Sequence, residues 1–377
     1  MVQSAVEQVQ TIAGEALLDR ARREKTPLID GERVTFVWQG TKAPQLIGDF
    51  NNWGWGPGKP LDLLQIAPDI WAQSVTLPLD AYIEYGFVQA GQRVRDPLNP
   101  RANPTGLGGF NQFFRMPGSL PTPLVRVRRG VPRGTLTRHI VQGEHLIASG
   151  HRTVHLYQPP TADPAPLLVV YDGQDYLRRA RLPQMMDNLI AQQRIRPLAL
   201  ALVEHGGSAR FVEYMCNEST VAFLLRSVLP LAQAELKLLD IQTNPGAYGV
   251  LGASMGGLMA LYTGFRAPEV FGRVLSQSGS FAFEVLGREA LIVDLIQQRE
   301  ARPLNIWLDV GQFEFLLPSN RRVRDLLQSK GYDLVYREYP GEHNYTSWRD
   351  DLWRGLEALF PPEGAGEGPK PRFGALP

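Results

Sequence analysis

A chain of 377 residues, 44% of them hydrophobic, can bury a sizeable core and is long enough for two domains. Its net charge of +1, from 39 basic against 38 acidic residues, supplies no global field to recruit nucleic acid or an anionic membrane. A single cysteine, Cys216, leaves no internal disulfide framework and no multi-cysteine metal site, and reads as a packed, inert thiol.

The opening segment "MVQSAVEQVQTIAGEALLDRARREK" lacks a basic region followed by an apolar core, and no uncharged apolar stretch is long enough to span a bilayer. A soluble, cytoplasmic protein is the expectation. Val6, Val9, Ile12, Ala13, Ala16 and Leu17 recur at helical spacing, predicting an amphipathic helix over Val6–Ala21 that packs on a neighbouring domain. From Val34 to Arg129 short strands alternate with turn residues: "VTFVWQG", "QLIGDF", "IWAQSVTL", "YIEYGFVQAG", "QFFRM" and "LVRVRR". They predict a small β-sandwich. The basic run "RVRRGVPRGTLTR" from Arg126 alternates with valine and reads as a solvated strand face.

"MPGSLPTP" marks a seam between domains, giving residues 1–122 to the amino-terminal domain and 123–360 to the next. Beyond it, apolar runs ("PLLVVYDG", "LALALVEHGG", "YGVLGAS", "RVLSQSG", "NIWLDVGQ", "DLVYREYPG") alternate with helical segments at Leu182–Arg194, Thr220–Leu236, Met255–Phe265, Asn320–Gly331 and Ser347–Phe360. This rhythm predicts an α/β domain with a mostly parallel sheet covered on both faces. Residues 361–377, rich in Pro, Gly and charge, read as a disordered tail.

Gly252-Ala253-Ser254-Met255-Gly256 fits G-x-S-x-G at the point where a buried strand turns into a helix, as a nucleophile elbow requires. Glycines beside the serine let strand and helix approach closely, and the strained turn holds Oγ proud of the sheet edge. A serine hydroxyl needs a base and a group to orient that base, in the order Ser, acid, His. Of six histidines only His343 follows Ser254, placed between the last predicted strand and the last predicted helix. Two carboxylates could serve as the acid: Asp309, inside the strand "NIWLDVGQFEF", and Glu314, beyond Gly311. Glu314 is favoured, since a loop carboxylate can reach an imidazole above the strand ends. The oxyanion donors are expected to be the main-chain N–H groups of Met255 and of Gln174, after Gly173. Asp172 would contact a polar group of the substrate or cap the turn. The "HGG" at His205 follows a different strand and is not read as an oxyanion motif.

With these residues in place, the chain resembles the esterase D-type branch of the α/β-hydrolases, and within it the enterochelin (enterobactin) esterases that carry an added amino-terminal domain. The resemblance spans most of the chain, in "DPLNP", "LLVVYDGQ", "RFVEYMCNES", "GASMGGLMALY", "VLSQSGS", "VGQFE" and "GEHNYTSWRDDL". It implies an α/β-hydrolase fold preceded by an immunoglobulin-like sandwich, with Ser254, Glu314 and His343 as nucleophile, acid and base. It also implies a small-molecule ester as substrate, a ferric trilactone siderophore among the candidates, and neither cofactor nor metal. Arg210 falls where the family places a loop arginine near the pocket, which would make it a holder of anionic or catecholate groups; a surface pair with Glu213 is the alternative. The chain departs from the family in Gly341-Glu342-His343-Asn344, where G-G-H-D is usual, and in "SGSFAF", where Phe281 and Phe283 stand in place of the family's pair of bulky aromatics and imply a changed pocket wall. "LIGDFNNWG" also looks like carbohydrate-binding modules, with Trp53 and Trp55 as stacking platforms or Phe50 and Trp53 as core. The implied activity is serine esterase chemistry. A feruloyl or acetyl sugar esterase, and a non-catalytic binding protein on the same scaffold, are the competing readings.

Overall fold

The computed structural model describes residues 2–55, 58–105, 109–283 and 288–364, with the backbone alone for 2–11, 283 and 288. The tail expected at 361–377 falls, from 365 onward, outside the described residues. Two units divide the chain. One comprises Met1–Pro121, Gly311–Phe315 and Pro340–Asn344; the other comprises Thr122–Val310, Leu316–Tyr339 and Tyr345–Pro377. The segment 123–360, expected to be one domain, is therefore interrupted twice by short stretches that group with the amino-terminal unit.

The first unit is a two-sheet domain. Strands Leu28–Asp30, Arg33–Gln39, Ile70–Thr76 and Leu64–Ala67 form one sheet in that order. Leu61–Asp62, Gln45–Gly48, Tyr82–Gln89, Phe110–Arg115 and Ala102–Pro104 form the other, with Gln92–Val94 paired to Tyr82–Gln89. Every pairing recorded in the two sheets is antiparallel. Val34 and Phe36 from the first sheet meet Leu46, Ile83, Tyr85, Phe87 and Phe114 from the second in one apolar core, as strand alternation requires. The helix, Val2–Glu24, lies on the other side of the first sheet, where Leu18 and Ala21 pack with Val37, Ala67 and Ile70. Its buried face differs from the predicted one, because Ile12, Ala13 and Ala16 are exposed. At Gly14 an added Cβ would sit 2.5 Å from that of Ala67, so close approach to the sheet decides which face turns inward. Phe50 packs on the core, and Trp53 donates its indole N–H to Asp49 at 3.1 Å beneath the Arg93 guanidinium. Of the two tryptophans only Trp55, 75% exposed, presents an open ring.

In the second unit eight strands form one sheet: β1 (Thr135–Gln142), β2 (His151–Gln158), β3 (Leu167–Val170), β4 (Ala199–Val203), β5 (Tyr248–Ala253), β6 (Phe271–Gln277), β7 (Asn305–Gly311) and β8 (Asp333–Tyr339). Their order is β1-β2-β4-β3-β5-β6-β7-β8. From β4 to β7 all pairings are parallel, while β1 and β2 add an antiparallel end that the apolar pattern did not reveal. The predicted strand "LVRVRR" is absent. Pro123–Val125 form a short turn of helix, and Gly130 and Pro132 keep the chain irregular until β1 begins at Thr135. The basic run therefore belongs mainly to a connection, not to a strand face. Apolar clusters cover both faces of the sheet, one centred on Val169, Val250 and Leu258, the other on Leu168, Leu251 and Leu356. Since the chain runs from β3 to β4 on one side and returns to β5 on the other, the ends of β3 and β5 flank a switch point, where open α/β sheets place their ligands.

Candidate active site

Every residue of β5 is buried, and its apolar run ends at Ser254, held at φ 59° and ψ −123°. A non-glycine residue at positive φ is strained and persists only where its surroundings over-determine it. Here the Ser254 N–H donates to the Gln277 carbonyl at 2.9 Å, and the Ser254 carbonyl accepts from Leu258 and from Ser280. Glycine is obligatory at position 252, since a Cβ there would lie 2.2 Å from the Gly256 carbonyl oxygen. The helix Met255–Arg266 starts at once, leaving the Met255 N–H among the unpaired donors of its first turn. The Ser254 Oγ stands 3.3 Å from the Ser280 Oγ.

At the end of β3 the chain turns through Asp172, at φ 53°, into the short helix Gly173–Arg178. Position 173 must be glycine, for a Cβ would come within 2.3 Å of Leu202 main chain. Gln174 lies in the first turn, with its side-chain Oε1 accepting from the His205 N–H at 3.1 Å. Asp172 is 1% exposed and receives Arg210 bidentately, Nε on Oδ1 at 2.7 Å and Nη2 on Oδ2 at 2.6 Å. The Arg210 guanidinium also lies over the Tyr214 ring, whose hydroxyl accepts from the Asp172 N–H. Glu213, the alternative partner considered for Arg210, instead forms a buried pair with Arg152 at 2.6 Å. Asp172 thus grips Arg210 with both oxygens.

In the first unit Glu314 is buried and its two oxygens have separate tasks. Oε1 accepts from the Gly311 N–H at 2.8 Å, and Oε2 lies 2.8 Å from His343 Nδ1. The contact sets the Glu314 carboxylate against the Nδ1 side of the imidazole. The Phe315 ring, half exposed, stands 5.7 Å from the imidazole. Burial pushes the neighbouring Glu342 carboxyl up to about 8; Glu314 and Glu84 add to the rise and His343 opposes it. Asp49 is likewise held well above the usual carboxylate range by burial and by the charges of Glu342 and Glu84. Asp309 is fully buried inside β7 and accepts from the Trp307 indole at 2.7 Å.

Phe281 departs from expectation. At 1% exposed it belongs to the main apolar core of the second unit, so it does not wall a pocket. The side chain of Phe283 lies outside the described residues. Cys216 is buried, and burial pushes its thiol up to about 12, as fits a packed, unreactive group. Among the described residues no cluster of three or more metal-ligating side chains occurs, and no helix is long and apolar enough to cross a membrane. Sequence reasoning missed Ser280. Its signal was position, since it follows the end of β6, the strand adjacent to β5.

Residues 148–359, more than half of the chain, match the family described as "Putative esterase". An iron(III) enterobactin esterase of Escherichia coli (strain K12) is 28% identical over 277 residues, covering 72% of this chain and 68% of that protein. An iron(III) salmochelin esterase of Escherichia coli O6:H1 is 27% identical over 326 residues, covering 77% and 78%. Among solved structures, the enterobactin esterase from Shigella flexneri in the presence of enterobactin matches with a TM-score of 0.71 at 23% identity, over 88% of this chain and 94% of that one. That likeness shows a shared fold.

Proposed function

From the premise that this chain belongs to the esterase family and is a carboxylic ester hydrolase, we propose that it works through a Ser254–His343–Glu314 triad on an enterochelin-type trilactone siderophore. Ser254 Oγ attacks the ester carbonyl while His343 Nε2 takes its proton and passes it to the leaving alcohol oxygen. Water, deprotonated by the same nitrogen, then releases the acyl group and restores the serine. Glu314 orients the imidazole and steadies its charged form. The main-chain N–H groups of Gln174 and Met255 receive the developing oxyanion. Arg210, with Nε and Nη2 engaged by Asp172, keeps Nη1 for an anionic or catecholate group of the substrate.

The observation that carries the triad is the 2.8 Å approach of Glu314 Oε2 to His343 Nδ1, the arrangement that leaves Nε2 as a base. The siderophore substrate rests on what the relatives from Escherichia coli are named for. Ser254→Ala should lower hydrolysis of an activated aryl ester by at least about a thousandfold. Activity retained in that variant would remove the triad reading. A substrate panel tests the rest: iron-loaded and iron-free trilactone should turn over faster than feruloylated or acetylated sugar, and the reverse ranking would transfer the enzyme to sugar esters.

A further inference from the structure

The stretch bearing Glu314 (Gly311–Phe315) and the stretch bearing His343 (Pro340–Asn344) both group with the two-sheet domain, although each follows a strand of the eight-stranded sheet. Contacts at both the side chain and the backbone account for this. Phe313 packs against the domain's core, the cluster that includes Phe36, Tyr85 and Phe114. The Phe313 N–H donates to the Gly341 carbonyl at 3.2 Å, tying the acid stretch to the base stretch. Tyr82, the first residue of strand Tyr82–Gln89, donates its N–H to the Pro340 carbonyl at 3.3 Å. At Gly311 an added Cβ would lie 2.3 Å from the Gly341 oxygen, so the two stretches run backbone against backbone with no room for a side chain.

We infer that the two-sheet domain is a working part of the acid–base machinery, holding the Glu314–His343 pair in place, with Phe313 as the positioning residue that anchors it. A short connection without regular structure has little to hold it still, and a displacement of about 1 Å in a catalytic group can cost about a hundredfold in rate. The domain's core supplies the apolar contact that fixes Phe313, and the neighbouring residue, Glu314, is fixed with it. The inference rests on the reading of Glu314 and His343 as acid and base.

Phe313→Ala tests it in the full-length protein, with the number of reactive serines in each preparation counted by end-point fluorophosphonate labelling. Per labelled site, kcat should fall about ten- to a hundredfold with KM changed by less than about threefold. The acid limb of kcat/KM should move to lower pH, because loosening the Glu314 carboxylate from the imidazole weakens what favours its charged form. Among the described interactions, Glu314 and Glu342 act on or lie against the ring, and Glu342 in turn feels Glu84 and acts on Asp49; of these, Glu314 is the residue that adjoins Phe313 in the chain. Phe313→Leu, which keeps apolar bulk, should recover most of the rate. A merely structural role would give fewer labelled molecules with wild-type kcat and pH profile per site, and would overturn the inference. Should the alanine variant not yield folded protein, Phe313→Val carries the same comparison. Ser254→Ala and His343→Ala run alongside: if either stays active the triad reading fails, whereas if both are dead and Phe313→Ala is wild-type per site, the inference alone fails.

Discussion

The hydroxyl of Ser280 stands 3.3 Å from that of Ser254, while its main-chain N–H donates to the Ser254 carbonyl at 3.1 Å. One residue thus holds the strained serine at both ends, and Ser280→Ala separates the two roles because it keeps the main-chain bond. A neutral hydrogen bond of this kind contributes about 1 kcal/mol, so kcat/KM should fall about fivefold with little change in melting temperature. A rise in activity would instead show that Ser280 competes with the base for the nucleophile. Nothing in the local string "SQSGS" identifies this contact, for it depends on the ends of β5 and β6 being neighbours in the sheet. Arg210 makes the same point. Its true partner, Asp172, is 38 positions away, while Glu213, near in sequence, is taken by Arg152. Residue type and chain order single out a nucleophile, a base and two candidate acids, but which carboxylate meets which cation is decided by tertiary packing.

The helix Met255–Arg266 crosses the end of β6 so closely that a Cβ at Gly257 would lie 2.8 Å from Ser276 Oγ and 2.9 Å from the Gln277 carbonyl oxygen. The carbonyl belongs to a buried strand and cannot retreat, so Gly257→Ala should displace the helix and destabilise the protein by about 1–3 kcal/mol, read as a lower midpoint in urea. Activity should fall too, since Ser254 sits at the amino end of that helix; an unchanged midpoint would show that the helix can slide. This strand–turn–helix unit was readable from the sequence because its signals agree: a continuous apolar run, glycines at the turn and helical periodicity after it. Elsewhere they conflict. β1, "TLTRHIVQ", is exposed along most of its length, so it lacks the apolar face that marks a strand, whereas "LVRVRR" alternates like a strand but is enclosed by Pro123, Gly130 and Pro132. The segment Thr220–Leu236 reads as one helix, yet it runs as Glu218–Phe223, a wider π turn at Leu224–Val228 and Leu229–Glu235, beside Pro230, which has no N–H to give. Phe281 packs in the core although its place in the sequence suits a pocket wall, because an aromatic after a turn looks the same whether it faces a ligand or the core.

Glu342 and Asp49, in the two-sheet domain and its captured stretches, contribute a pH dependence of stability opposite in sign to ordinary acid denaturation. Glu342 moves from an ordinary value of 4.5 to about 8 in the folded chain, chiefly by burial, with Glu314 and Glu84 adding to the rise. Asp49 is raised in the same sense by burial, then by Glu342 and Glu84. A carboxyl whose folded value exceeds its unfolded value binds more protons when folded, so stability falls as pH rises wherever the two states differ. For Glu342 the contribution is fully present below pH 4.5 and is lost progressively as the pH climbs through about 8. Glu342→Gln removes the titrating proton but keeps the shape, and it also lifts part of the charge that raises Asp49. Thermal unfolding of wild type and variant between pH 5 and pH 9 should therefore give curves that diverge, the wild type losing more stability as pH rises and the gap levelling off above about pH 8. Parallel curves would mean that Glu342 is already ionised in the folded state and that the domain tolerates its charge. Because Glu342 adjoins His343, the same series links the stability of the two-sheet domain to the state of the proposed base: the pH at which the curves stop diverging, about 8, should be the pH at which a new negative charge arises beside the imidazole in the folded chain.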